Sequence, residues 1–116
     1  MAALADLKNQ VLYTTNKLHS GQTATAEVGD KAGRAIAAEI AVLAKRGVID
    51  YTDVTEMPEE DEAAIVLRAA WRSRFELTLS PERAAFLREA QAEALREIYA
   101  NHEQPYDGEP VEATYY

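Results

Sequence analysis

The spacing of hydrophobic residues along the chain predicts four amphipathic helices, and the first runs from about Leu4 to His19. Its apolar positions on one side are Leu4, Leu7, Val11, Leu12 and Leu18. The residues from Tyr13 to Asn16 are weak helix formers, so the stability of this helix must come mostly from packing. Ser20-Gly21 is expected to end it, because glycine readily adopts the left-handed conformation of a C-terminal cap.

A second, alanine-rich helix is predicted to end at Arg46, just before Gly47. Its start has alternatives, since Thr23 or Thr25 could cap it and Gly29-Asp30 offers a later start. The larger apolar positions are Ile36, Ile40 and Leu43, and a strip of small residues comprises Gly29, Gly33, Ala37 and Ala44. We expect this strip to allow another helix of the same subunit to pack closely.

An irregular loop is predicted between helices two and three. Val48 to Val54 is rich in β-branched and aromatic residues and should form at most one short strand or an extended connector. Pro58 then begins helix three, and the acids from Glu59 to Glu62 favour the positive end of the helix dipole. The helix is predicted to continue to about Leu77. Its expected core face consists of Ala64, Ile65, Leu67, Ala69, Trp71 and Phe75.

Helix four is predicted from Ser80, as its cap, through Pro81 in the first turn to about Asn101. Its apolar residues spread over roughly half of the circumference, which is wider than a single helix contact needs. They are Phe86, Leu87, Ala90, Ala94, Leu95 and Ile98, and the acids along one border are Glu82, Glu89, Glu93 and Glu97.

The predicted fold class is therefore all-α, a four-helix bundle-like subunit with an irregular loop between helices two and three and an extended C-terminal arm. We place the helical body at residues 1–101 and the arm at residues 102–116. The arm contains two prolines, four acids and no base. This composition favours a segment that docks on a partner, the alternative being a frayed terminus. Its apolar anchors would be Tyr106, Val111, Tyr115 and Tyr116.

Composition limits the classes of function. The chain of 116 residues suits one domain and has no cysteine, which excludes disulfides and thiolate chemistry. No run approaches the roughly 20 apolar residues of a membrane span, and no signal peptide is evident, so we expect a soluble protein without membrane contact. Twenty acids against twelve bases give a net charge of −8, which opposes binding to nucleic acid but suits a surface that DNA passes without sticking.

The sequence offers little catalytic or ligand-binding chemistry. His19 and His102 have no partner ligand at metal-binding spacing, and no glycine-rich phosphate loop is present, so we expect neither a metal nor a cofactor. One alternative is a small all-helical enzyme with an arginine-lined pocket, formed by Arg68, Arg72 and an acid such as Glu62. A helix-turn-helix regulator is disfavoured, because the acids of helix four would face the DNA.

Two unlike charged surfaces point instead to self-assembly. Arg68 and Arg72 flank the apolar face of helix three, and Glu89 and Glu93 flank that of helix four. A head-to-tail ring joins two different faces of neighbouring subunits. The hypothesis is that one of these arginines meets one of these glutamates across a subunit boundary.

Several features also follow one another in a known order. They are Leu7, Leu12, Asn16, Lys17 and Leu18 in the first helix, Leu43 to Gly47 closing the second, Val48-Ile49 and Met57 to Glu59 in the loop, Ala94 to Arg96 in the last helix, and Tyr115-Tyr116 in the tail. In this order, and over nearly its whole length, the chain resembles the head-to-tail adaptor (connector) proteins of tailed bacteriophages. Ser73-Arg74 departs from the pattern by making the end of helix three more basic.

The resemblance implies a structural, non-enzymatic virion protein. Subunits of this family form a ring, usually twelvefold, beneath the portal protein at the capsid vertex, where the ring extends the DNA channel and receives a tail or neck protein. Such a protein would be in the host cytoplasm during assembly and in the neck of the virion afterwards. In several members the C-terminal arm inserts against the portal, which would place Tyr106, Val111, Tyr115 and Tyr116 at that contact. Another oligomeric phage or cellular assembly protein is the remaining alternative.

Overall fold

The computed structural model describes residues 4–15, 17–18 and 25–104, which form four α-helices and one short 3₁₀ turn and contain no strand. The helices are α1 (Leu4–Thr14), α2 (Ala26–Lys45), α3 (Glu59–Arg72) and α4 (Pro81–Asn101), and the 3₁₀ turn spans Val54–Glu56. The predicted all-helical class is confirmed. His19, Ser20-Gly21, Thr23 and the proposed arm from residue 105 onward lie outside the described residues.

Helix α3 contacts all three other helices, and α1 also contacts α2. Small residues on α3, namely Ala64, Ala69 and Ala70, are fully buried and allow the neighbouring helices to approach closely. Larger side chains fill the spaces around them, as expected of a close-packed interior. They include Leu7, Leu12, Ile36, Ile40, Leu43, Ile65, Leu87, Leu95 and Ile98.

The helix starts follow the capping residues of the sequence. Thr25 caps α2, with its hydroxyl accepting a hydrogen bond from the Val28 amide at 3.3 Å. Ser80 caps α4 in the same way, accepting from the Arg83 amide at 3.2 Å, with Pro81 in the first turn. These caps satisfy amides that have no partner within the helix. Of the alternatives for the start of α2, the structure selects Thr25.

The C-terminus of α2 is closed by a glycine cap. Gly47 has a positive φ of 76°, which lets the Val48 amide donate to the Leu43 carbonyl at 3.0 Å. The chain then runs through a connector in which Val48, Ile49 and Tyr51 are buried without forming a strand among the described residues. Residues 48–53 contain bends and no strand, so the short strand is not found.

Helix α3 ends at Arg72, one and a half turns before the predicted end at Leu77. The Ser73 hydroxyl donates to the Ala70 carbonyl at 3.1 Å, and the Arg74 guanidinium donates to the Trp71 carbonyl at 2.8 Å. Carbonyls at the end of a helix need such partners, and the turns of residues 73–78 follow. As a result Phe75, predicted in the core, is 81% exposed, whereas Leu77 turns inward and is buried.

Helix α1 is also shorter than predicted, ending at Thr14. The Thr14 and Thr15 hydroxyls donate to the carbonyls of Gln10 and Val11, at 2.8 and 3.0 Å, and such side-chain bonds compete with helix continuation. Leu7, Val11, Leu12 and Leu18 are buried as predicted, but Leu4, in the first turn, is exposed.

The strip of small residues on α2 makes one close contact. A Cβ atom at Gly33 would lie 2.7 Å from Cε of Lys8, whose side chain crosses the helix there. Gly29 has no such neighbour within 4 Å, and Ala37 is exposed. The strip is therefore not a continuous packing surface for another helix of the same chain.

Candidate functional site

The connection between α3 and α4 and the helix residues beside it carry exposed and half-buried aromatic and basic side chains, which we call the aromatic tip: Trp71, Arg74, Phe75, Arg83 and Phe86. Phe75 is 81% exposed, although it was predicted to face the core, and Phe86, on the wide apolar face of α4, is 54% exposed. Trp71 is half-buried and packs against the core. Phe75 in the connection and Phe86 near the start of α4 are thus large apolar side chains left exposed, and such residues are candidates for an interaction surface.

Arginines stack on the aromatic rings of the tip. Cζ of Arg74 lies 4.0 Å from the centre of the Trp71 ring and 4.5 Å from that of Phe75. Cζ of Arg83 lies 5.5 Å from the centre of the Phe86 ring. Partial burial, together with the nearby charge of Arg72, lowers the pKa of Arg74, although an arginine remains charged at any physiological pH. These cation–π contacts hold the guanidinium groups at the surface of the tip.

An open cavity adjoins the tip at the start of α4. Its volume is about 310 Å³, and its walls are formed by Ser80, Glu82, Arg83 and Phe86. The cavity therefore combines one aromatic ring with side chains of both charges. This lining suits a peptide segment with mixed polar and apolar groups.

A second feature is a buried polar cluster around Glu39, which we call the Glu39 cluster. Oε2 of Glu39 accepts from Nε of Arg68 at 2.9 Å, and Oε1 accepts from Nε of Arg72 at 3.1 Å. Arg68 also donates to Gln91 of α4. Glu39 and Arg68 are both buried, and the side chain of Arg72 is 37% exposed. The cluster joins α2, α3 and α4 by charged hydrogen bonds, which are stronger than neutral ones.

The Glu39 cluster bears on the predicted subunit contact. Arg68 and Arg72 already share a carboxylate of their own chain, and Arg68 has little surface left for a second subunit. Glu89 is exposed, and Glu93 is paired with Arg96 at 2.5 Å. The partner shown for both arginines within the chain is Glu39, and the partner shown for Glu93 is Arg96. A contact between subunits stays a prediction, and Arg72 is the arginine with exposed surface to make it.

The arginine pocket of the alternative enzyme is occupied by protein. The acid found to meet both Arg68 and Arg72 is Glu39, and both of its carboxylate oxygens accept hydrogen bonds from these arginines. Guanidinium groups that are already paired in this way offer little to a small anionic substrate.

A third feature is a second buried cluster, around Asp61, which we call the Asp61 cluster. Asp61 lies in the first turn of α3 and is fully buried. Its Oδ2 accepts from the Tyr51 hydroxyl at 2.5 Å and lies 2.6 Å from Nε2 of His102, while its Oδ1 accepts from Asn101 at 3.0 Å. The connector, the start of α3 and the end of α4 are thereby joined at one carboxylate.

Tyr51 is strongly affected by this environment. Burial, then its hydrogen bond to Asp61 and the charges of Asp61, Asp50 and Glu60, raise the pKa of Tyr51 well above its usual range. The phenol therefore stays protonated as a hydrogen-bond donor to Asp61. Tyr51 fixes the connector to the start of α3 by this hydrogen bond, rather than acting as an acid or base.

The Asp61 cluster also bears on the predicted boundary between body and arm. His102, assigned to the arm by its sequence, contacts Asp61 and caps α4. Beyond it, the backbone amide of Gln104 donates a hydrogen bond to the Tyr99 carbonyl at 2.8 Å. The described residues through Gln104 are thus attached to the body. Tyr106, Val111, Tyr115 and Tyr116 lie outside the described residues.

The part of the chain that the structure describes shows neither a metal site nor a membrane span. It holds no group of three or more histidine or acidic side chains placed to bind a metal ion. Within the same residues, no helix is both long enough and apolar enough to cross a bilayer.

Sequence reasoning missed the two buried carboxylates, although a signal was present. Glu39 lies between Ile36 and Leu43 on the apolar stripe of α2, and Asp61 precedes Ala64 and Ile65 by one helical turn. An acid on the apolar side of a helix requires a buried partner. Asp61 was instead attributed to the helix dipole, together with its exposed neighbours.

The described residues form an all-helical protein with two buried clusters of charged side chains and with two exposed phenylalanines, Phe75 and Phe86, in and beside the connection of α3 to α4. Compared with known proteins, the chain matches no family model, no curated protein and no solved structure.

Proposed function

We propose that this chain is the subunit of a head-to-tail connector ring of a tailed bacteriophage. The ring, twelvefold as the family resemblance implies, would lie beneath the portal protein and continue its DNA channel toward the tail. The protein would act as a structural component of the virion neck, without a catalytic step.

The observation that carries the proposal is the aromatic tip on a small helical body. Phe75 and Phe86 are exposed, while both buried carboxylates are bound to side chains of their own chain. The chemistry that is left at the surface is therefore suited to protein contacts rather than to a reaction. The resemblance of the sequence features, in their order, to the adaptor family also supports the proposal. The net charge of −8 suits the wall of a channel, because DNA would pass it without binding.

The ring contact is proposed to join Arg72 of one subunit to Glu89 or Glu93 of the next. The two glutamates are on the surface of α4, so they can be changed without disturbing the Glu39 cluster. Glu89→Arg or Glu93→Arg should abolish ring formation as measured by native mass spectrometry. Glu56→Arg, an exposed acid on the 3₁₀ turn, is the matched control and should leave the ring intact. Rings that persist in both glutamate variants would contradict this contact.

The arm is proposed to dock on the portal protein through Tyr106, Val111, Tyr115 and Tyr116. Replacing the three tyrosines by serine should prevent the chain from co-sedimenting with the portal protein of the same phage. Tyr13→Ser removes an exposed tyrosine from α1 and serves as the control, which should bind normally. Equal binding by both variants would remove the arm from the portal contact.

A further inference from the structure

The aromatic tip is a basic region in an acidic protein. Residues 72–88 contain four arginines against two glutamates, a net charge of +2 within a chain of net charge −8, and Arg72 among them is paired with Glu39 of α2. One of the two glutamates, Glu76, is paired with Arg34 of α2 at 3.5 Å. The positive charge of the tip is thus held next to exposed Phe75 and Phe86.

A partner for this surface must combine negative charge with aromatic groups. Arg74 lies over Trp71 and Phe75, and Arg83 lies over Phe86, so a carboxylate and a ring could be bound side by side. An acid without apolar groups would leave the phenylalanines exposed. An apolar segment without acids would leave the arginines uncompensated.

Residues 105–116 of this chain have the required composition. They contain three acids, Asp107, Glu109 and Glu112, no base, and three tyrosines. The acids alternate with apolar positions over a short stretch, so both kinds of group can meet the tip together. We infer that the segment 105–116 of a second copy of this chain docks on the aromatic tip.

The position of the segment favours a second copy over the same chain. Helix α4 has 21 residues and is about 30 Å long, so its end lies far from the tip at its start. Twelve extended residues span about 40 Å, enough to return, but the path along α4 passes exposed Glu89, Glu93 and Glu97. Glu93 is paired with Arg96, so Glu89 and Glu97 are the like charges that oppose an acidic segment. A segment that docks on a second copy does not have to run back along its own α4. The inference concerns the protein in the absence of a portal and does not rest on the proposed function.

Trp71 gives a direct test, because it is the single tryptophan of the chain and belongs to the tip. With the full-length protein, the emission of Trp71 should shift as concentration rises, in step with self-association in sedimentation velocity. Asp107→Asn with Glu109→Gln and Glu112→Gln should weaken that association at least about tenfold at low salt. The control changes Asp30→Asn, Asp50→Asn and Glu56→Gln, three exposed acids of the body, and should leave it unaltered.

A charge exchange completes the test. A chain with Arg74→Glu and Arg83→Glu should not associate with itself. It should associate with a chain in which Asp107, Glu109 and Glu112 are each replaced by lysine. If the Trp71 emission depends on the acids of residues 105–116 but does not change with protein concentration, the segment binds its own chain, and the inference is overturned. Absence of self-association, or equal loss in the body control, would overturn it as well.

Discussion

Among the polar residues described, Glu39 is the one whose substitution should lower the free energy of unfolding most. Glu39→Gln keeps the shape of the side chain but removes the charge that pairs with the buried guanidinium of Arg68. Breaking one side of a buried ion pair costs about 3 kcal/mol or more. We therefore expect the free energy of unfolding, measured by urea titration followed by circular dichroism, to fall by about that amount.

The control for this prediction is Glu89→Gln, which removes the same charge from the surface of α4. It should change the free energy of unfolding by less than about 0.5 kcal/mol. A second check is the pair Glu39→Met with Arg68→Met, which should cost less than Glu39→Met alone, because it leaves one fewer buried charge without its partner. Equal stability of Glu39→Gln and wild type would show that the Glu39 cluster is not formed in solution.

Tyr51→Phe should destabilise the protein by roughly 1–2 kcal/mol at neutral pH, since the buried Asp61 loses one hydrogen-bond donor. The pKa of Tyr51 is raised on folding, so its protonated form is favoured in the folded state. The resulting stability is complete below the ordinary tyrosine pKa of about 10 and decreases as pH rises above that value.

The difference in unfolding free energy between wild type and Tyr51→Phe should therefore be constant from neutral pH to about pH 9 and narrow above about pH 10. Urea titrations at a series of pH values measure this difference directly. Tyr13→Phe, an exposed tyrosine on α1, provides the comparison and should change stability little at neutral pH. A difference that widens at high pH would contradict the placement of Tyr51 on Asp61.

At the level of the helices, a glycine inside α2 and the glycine just after its C-terminus should respond oppositely to replacement by alanine. Gly29 is inside the helix with no atom within 4 Å of an added Cβ, so Gly29→Ala should raise the free energy of unfolding by about 0.5–1 kcal/mol. Gly47 has a φ of 76°, which alanine adopts poorly, so Gly47→Ala should lower it by about 1 kcal/mol. Thermal unfolding of both variants tests the pair. The same sign for both would contradict the helix boundary at Gly47.

The helix starts could be predicted from the sequence because capping is local. Ser80 and Thr25 each accept a hydrogen bond from the amide three residues later, so a few neighbouring residues are enough to identify them as caps. The early end of α3 could not be predicted in this way. It depends on bonds from Ser73 and Arg74 to helix carbonyls, and a helical pattern carried through to Phe75 gives no sign of them.

The candidate site was predictable only in part, for a similar reason. The arginines of α3 were recognised as important, but their partner Glu39 is 29 residues from Arg68, and that pairing is fixed by how α2 packs on α3. The exposure of Phe75 likewise follows from where α3 ends. Long-range packing therefore decides which charges are buried and which aromatic residues reach the surface.

For the whole molecule, deletion of residues 105–116 should leave the helical body intact. The described contacts of the body end at Gln104, and both buried clusters lie within residues 39–102. The circular dichroism signal and the urea midpoint of the truncated chain should match those of the full chain. Incorporation into phage particles should be lost, as measured by complementing a phage that lacks the gene. Loss of helical signal would show instead that these residues are part of the fold.

The central claim is that the chain is a stoichiometric component of the virion neck. Quantitative mass spectrometry of purified particles, counting this chain against the portal protein, tests it most directly. The account predicts a near-equal ratio, as expected for one ring beneath the portal. Absence of the chain from the particles would contradict the connector assignment.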